Sequence, residues 1–191
     1  MLRVFQNDLS DPAPFLTPLA DRLPAGSLVL DVGCGSGRDL LWMKSRGFQV
    51  MGLERSPGLA EIARRHAGCR VIQADFERFD FSPLSVDAVL LVGALVHIPH
   101  SQLVATLKRI LAALKDRGIA LLTVKEGAGE RSDATGRTFY LWRHEEMQRL
   151  LLDDGFKIRY FNKQRSAMGT GEAWPTYVLA RHCIAGACIM P

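Results

Sequence analysis

The stretch Leu28-Val29-Leu30-Asp31-Val32-Gly33-Cys34-Gly35-Ser36-Gly37-Arg38 joins an apolar run to a carboxylate and then to three glycines at alternate positions. An unbroken apolar run of that length suits a strand buried on both faces, which is the environment of a parallel sheet. Glycines spaced in this way let the backbone bend tightly and approach a ligand without side-chain obstruction. The segment that follows opens a helix running to about Arg46.

Outward from this stretch, short apolar runs alternate with amphipathic ones. Phe48 to Leu53, Arg70 to Ala74, Ala88 to Val92 and Ile119 to Val124 read as further strands, and Phe156 to Phe161 and Tyr177 to Ala180 bring the total to seven. Between them, Ser56 can N-cap a helix that has Pro57 at its first position, runs to about His66 and is stopped by Gly68. Ser101 is the expected cap of a helix whose apolar face is Leu103, Val104, Leu107, Ile110, Leu111 and Leu114. Met147, Leu150 and Leu151 mark another helix, ended by Gly155. Strands alternating with helices of this length imply right-handed crossovers, hence a doubly wound α/β domain.

At 191 residues, one domain over 1–191 is expected, large enough to bury roughly 70% of its unfolded surface without disulfides or metal. Twenty-four basic against 20 acidic residues leave a net charge of +4, a mild excess that permits an anionic partner, whereas a nucleic-acid surface usually needs charge clustered on one face. No run approaches a membrane span, and Met1 to Ser10 lacks an apolar export core, so a cytoplasmic protein is expected. Cys34, Cys69, Cys183 and Cys188 show no metal-ligand pairing and read as reduced thiols.

Ligands of open α/β sheets bind at the carboxyl ends of the strands, and the informative residues lie there. Glu54 ends the second strand, 23 positions after Asp31, where an acid can accept both hydroxyls of a ribose. Asp75 follows the third strand, placed to receive an adenine amino group, with Phe76 beside it to cover the ring. A dinucleotide fingerprint would carry its third glycine at position 38, which is Arg38 here; the third glycine is Gly37. An acid just before the loop would repel a pyrophosphate but can hold an ammonium, and Arg38 can meet a carboxylate.

These residues resemble the class I S-adenosylmethionine-dependent methyltransferases, most closely the small bacterial type related to the ubiquinone-biosynthesis and tellurite-resistance enzymes. The likeness spans about residues 12–182 and is densest in Val29 to Leu40, Gly52 to Ser56 and Gln73 to Phe76, continuing through Ala94-Leu95-Val96-His97-Ile98-Pro99. It implies a Rossmann-like, mostly parallel seven-stranded sheet with an antiparallel last strand, S-adenosylmethionine as cofactor and S-adenosylhomocysteine as product. It implies cofactor contacts from Asp31, Gly33, Cys34, Gly35, Gly37, Arg38, Glu54, Arg55, Asp75, Phe76 and Gly93, with Ala94 under the methionine end and His97 facing the acceptor. The family commonly has Asp at position 54, and Asp116-Arg117-Gly118 replaces a usual Pro-Gly-Gly turn.

On the acceptor side, Lys125, Arg137 and Tyr140 join His97 as candidates, and Trp174 reads as packing. His97 is the nominee for a general base where the acceptor is a hydroxyl or protonated amine. His97 and His100 form an H-x-x-H pair interrupted by Pro99 with no third ligand, so no metal is expected. The expected partner is a small-molecule acceptor, neither nucleic acid nor membrane, with the chain a monomer or homodimer. The competing functions are a non-catalytic S-adenosylmethionine-binding regulator, a nucleic-acid methyltransferase and, least supported by the glycine spacing, a nicotinamide oxidoreductase.

Overall fold

The computed structural model describes residues 11–165 and 171–181. Expectations that fall on Met1 to Ser10, on Cys183 and Cys188 and on the tail 182–191 lie outside the described residues. The chain runs through α1 (Ala13–Ala20), β1 (Leu28–Val32), α2 (Arg38–Ser45), β2 (Gln49–Glu54), α3 (Pro57–Ala67), β3 (Arg70–Gln73) and β4 (Val86–Leu91). It continues through α4 (Leu103–Ile110), β5 (Leu114–Thr123), β6 (Glu130–Ser132), β7 (Thr138–Tyr140), α5 (His144–Asp153), β8 (Phe156–Arg165) and β9 (Ala173–Arg181).

Seven strands form one sheet in the order β3-β2-β1-β4-β5-β9-β8. Only β9 runs antiparallel to both of its neighbours, as the family resemblance implies. Strand alternation sends successive side chains to opposite faces and so divides the core in two. Val29, Leu90, Leu121 and Val178 pack with Leu16 and Leu19 of α1, whereas Leu30, Val89, Leu122 and Tyr177 pack with Leu103, Leu107, Met147 and Leu151. The order reverses between β1 and β4, and the glycine loop leaves β1 at that point, where a doubly wound sheet opens its binding crevice.

Ser56 caps α3 by accepting from Leu59 N, and Gly68 closes it in the left-handed conformation. Ser101 does not cap α4. After Pro99 the chain enters through a 3-10 turn over His100–Gln102, and no side chain caps the helix that follows. Leu114 belongs to β5 rather than to the helix face, because Ala113 ends a second 3-10 turn and the chain becomes extended at Leu114. Residues 115–118 bulge out of the β4–β5 pairing, whose register passes from Val86↔Leu114 to Ala88↔Ile119. The hairpin β6–β7 has no counterpart in the periodicity of the sequence.

Gly37, with φ +86°, lies against α3: a Cβ there would stand 3.0 Å from Ala63 Cα. Gly37→Ala must therefore adopt a left-handed backbone and push the helices apart, at about 2–4 kcal/mol. A thermal melt should fall by roughly 4–16 °C, at the 2–4 °C per kcal/mol of a chain this size.

Candidate functional site

The glycine loop is held against the end of β2. Gly33 N and Cys34 N both donate to Leu53 O, at 2.7 and 3.2 Å, and Gly37 N donates to Cys34 O at 2.9 Å. Gly33, Gly35 and Gly37 all carry positive φ, so the loop keeps a course that side chains would resist. Glu54 braces it from the next strand. Its Oε2 accepts from Gly35 N at 3.0 Å and its Oε1 accepts from Ser56 N at 2.7 Å, which fixes the carboxylate at the strand end while each oxygen keeps a lone pair.

Asp31 is buried, and its Oδ2 has no hydrogen-bond partner among the described residues. Burial chiefly, then the neighbouring Asp39 and to a lesser degree Glu54, push its carboxyl well above the usual range of 3.8, against the opposing pull of Arg38. An orphaned carboxylate beside an open glycine bend is a built receptor for a cation. Because the folded protein binds this proton more tightly than the unfolded chain, ionised Asp31 costs stability at neutral pH, and the cost fades as pH falls through its raised pKa. Asp31→Asn should therefore melt higher than the parent near neutral pH, with the gap closing towards pH ~4, while its affinity for S-adenosylmethionine drops. A parent-like melt across that range would contradict the burial argument.

The remaining candidates of this half fall into different settings. Asp75 accepts from Glu77 N at 3.0 Å through Oδ1, forming an Asx turn beyond β3. Phe76 is half-buried against the main core, and its carbonyl accepts from Arg109. The Cys34 thiol fills the space left by Gly52, where a Cβ would stand 2.7 Å from Sγ; burial, with Asp31 and Glu54 nearby, pushes its pKa far up, so it is an inert packing thiol. Arg38 pairs with Asp39, Nε to Oδ1 at 2.7 Å, at the start of α2, and Arg55 is exposed.

Gly93 follows β4 with φ +65°, its N–H donating to Thr123 Oγ1 at 2.8 Å. A Cβ on Gly33 would stand 3.2 Å from Ala94 Cβ, so the glycine loop and the end of β4 meet. On the other side of Gly93 lies the Trp174 ring, 3.6 Å from where its Cβ would be. The Lys125 ammonium lies 5.4 Å from the Trp174 ring centre and 4.0 Å from that of Phe139, which in turn meets the His97 ring at 4.5 Å. One chain of contacts thus connects the loop to His97 and Lys125. Arg137 joins at the edge, 5.7 Å from the Phe139 centre and paired with Asp133. Tyr140 stands apart with His100, their ring centres 5.5 Å apart, because Phe139 and Tyr140 alternate across β7.

The hairpin is tied to the loop after β4. Tyr140 N donates to Val96 O at 2.8 Å, His97 Nδ1 lies 2.6 Å from Thr138 O, and His100 Nε2 lies 2.9 Å from Leu141 O. A carbonyl only accepts, so Nδ1 of His97 donates to Thr138 O, which leaves Nε2 as the ring nitrogen that can carry a lone pair. His97 and His100 are each committed to a separate carbonyl.

The meeting of Phe139, Trp174 and Glu172 at Lys125 was not legible in the sequence. Trp174 and Glu172 come from the β9 end of the chain and reach the site only because β9 inserts beside β5, with Thr123 opposite Thr176.

Fold and site together define a doubly wound α/β domain with a glycine loop and a buried carboxylate at its switch point. Residues 29–118 match the family described as methyltransferase domain. A protein of Encephalitozoon cuniculi assigned to the methyltransferases is 30% identical over 69% of this chain and 71% of its own. The ubiquinone biosynthesis O-methyltransferase of Xanthomonas axonopodis is 33% identical over 52% of this chain and 44% of its own. A tRNA (carboxymethyluridine(34)-5-O)-methyltransferase of Macaca fascicularis is 29% identical over 63% of this chain and 18% of its own. The 1,6-didemethyltoxoflavin-N1-methyltransferase of Burkholderia thailandensis has the same fold, with a TM-score of 0.79 over 95% of this chain and 82% of its own at 22% identity. The chain belongs to the class I S-adenosylmethionine-dependent methyltransferases, and S-adenosylmethionine is its cofactor. It spans less than half the length of two of the curated relatives it matches.

Proposed function

We propose that this chain transfers a methyl group from S-adenosylmethionine to a small-molecule acceptor. The observation that carries the donor half is Asp31 Oδ2, buried and unpartnered beside the glycine loop, which suits the donor's ammonium. In this reading Glu54 holds the ribose hydroxyls, Asp75 and Phe76 take the adenine, Gly33, Gly35 and Gly37 let the backbone pass close, and Arg38 meets the carboxylate. The bound cofactor supplies a methyl carbon on a good leaving group. The protein's part is to align an acceptor with it, and orientation alone can contribute about 7–11 kcal/mol.

Acceptor positioning falls to the loop after β4 and the hairpin. His97 serves as the base, taking the acceptor's proton on Nε2 while Thr138 O fixes the ring through Nδ1. Lys125 and Arg137 lie within reach of the same space around Phe139.

The test is S-adenosylhomocysteine formation with S-adenosylmethionine across panels of small molecules and of transfer RNA. Turnover with a small molecule supports the proposal. Turnover only with RNA overturns the acceptor class, and tight cofactor binding without turnover on either panel makes the protein a cofactor-binding regulator. Among the described residues no helix is long and apolar enough to cross a membrane.

A further inference from the structure

Lys125 is an unusual residue to find at a sheet edge, because its side chain is only 11% exposed. Its Nζ lies 3.1 Å from Glu172 Oε1 and over the face of Phe139, with the Trp174 ring beyond. Arg131, from β6, reaches the same Glu172 oxygen. Among the described residues, two cations therefore converge on one carboxylate oxygen. Arg137 lies beyond Phe139 with its charge matched by Asp133. The other half of the crevice has the opposite character: Asp31, Asp39 and Glu54 are buried carboxylates around the glycine loop.

We infer that the acceptor is a flat aromatic or heteroaromatic molecule bearing an anionic group, its ring against Trp174 and its anion on Lys125. The inference rests on the methyltransferase reading and names the acceptor class for that same site. The half-buried Trp174 ring, beside Gly93 at the end of β4, favours a planar guest. The ammonium has three donors, of which the contact to Glu172 uses one, so it can take a further acceptor atom without breaking that pair. Charge favours the same sign. Lys125 and Arg131 share the one carboxylate of Glu172, so the cluster keeps a net positive charge that, with the sulfonium of the donor, repels a cationic acceptor and attracts an anion. Trp174 also borders Gly93, so a ring resting on it lies at the end of β4, next to the glycine loop.

The experiment is calorimetry on the full chain saturated with S-adenosylhomocysteine, titrated with 3-hydroxybenzoate and with 3-hydroxybenzamide. These probes share shape and hydroxyl and differ in charge. The expected result is a preference for the carboxylate of at least about tenfold, lost in Lys125→Met and largely kept in Lys125→Arg. Trp174→Ala should weaken both probes to a similar extent. S-Adenosylhomocysteine affinity should stay unchanged in all three variants, which shows that the fold and donor site survive. Equal affinity for the two probes, no binding of either at about 10 mM, or an undiminished preference in Lys125→Met would overturn the inference. Failure of the parent to bind S-adenosylhomocysteine is a separate result: it would remove the donor reading, and this inference with it.

Discussion

Glu54→Ala should weaken S-adenosylmethionine binding by at least about a hundredfold, because hydrogen bonds to a charged carboxylate are worth roughly 1.5–3 kcal/mol each and a ribose offers two. The same carboxylate organises the loop that receives the donor. Without it, Gly35 N and Ser56 N lose their acceptors at 3.0 and 2.7 Å, so the glycine bend loses its brace as well as its ligand contact. Calorimetry with S-adenosylmethionine reads the effect directly, and a parallel melt of the ligand-free protein reads the loss of the brace. Unchanged affinity would remove Glu54 from the donor site.

His97→Ala should lower methyl transfer to a hydroxyl or protonated amine by about 10²–10⁴-fold, the usual contribution of a positioned base, with cofactor affinity intact. The separation is expected because the described contacts of His97 are with Thr138 and Phe139 of the hairpin. Steady-state rates with an acceptor found in the panel, together with calorimetry of S-adenosylmethionine, give the two numbers. Equal losses in rate and cofactor affinity would show that the ring supports the donor site, and the base would have to be sought elsewhere. His97→Asn offers a check on positioning: its amide can still donate to Thr138 O but has no basic nitrogen, so hairpin docking should survive while the rate does not.

The donor half of the crevice was legible because it is local. Asp31 and the three glycines lie within seven residues, and Glu54 and Asp75 each follow a strand that periodicity reveals. In a parallel sheet such positions share one edge, so reading the strands places them together before any coordinate is known. Cap chemistry was legible where the cap is a single local hydrogen bond, as at Ser56 and Gly68. It failed at Ser101, where Pro99 leads the chain into a 3-10 turn and the serine falls inside that turn.

The acceptor half is assembled from a distance. Lys125, Phe139 and Trp174 come from three segments, and their meeting depends on a three-residue-stranded hairpin and on the order in which β8 and β9 join the sheet. Neither leaves a periodic mark: β6 and β7 are too short to show alternation, and the charges on β8 hide where β9 will insert.

The chain by itself determined the α/β architecture and the placing of Asp31, Glu54 and Asp75 along the switch-point edge, since apolar periodicity and strand-end chemistry are written in consecutive residues. Tertiary structure alone decided which aromatic of β7 meets Lys125, which carbonyl sets the His97 tautomer, and that Trp174 borders Gly93. Those facts arise from pairings between segments 14 to 81 residues apart, from Lys125 with Phe139 to Gly93 with Trp174, and such pairings are selected by the global packing of the sheet rather than by local preference.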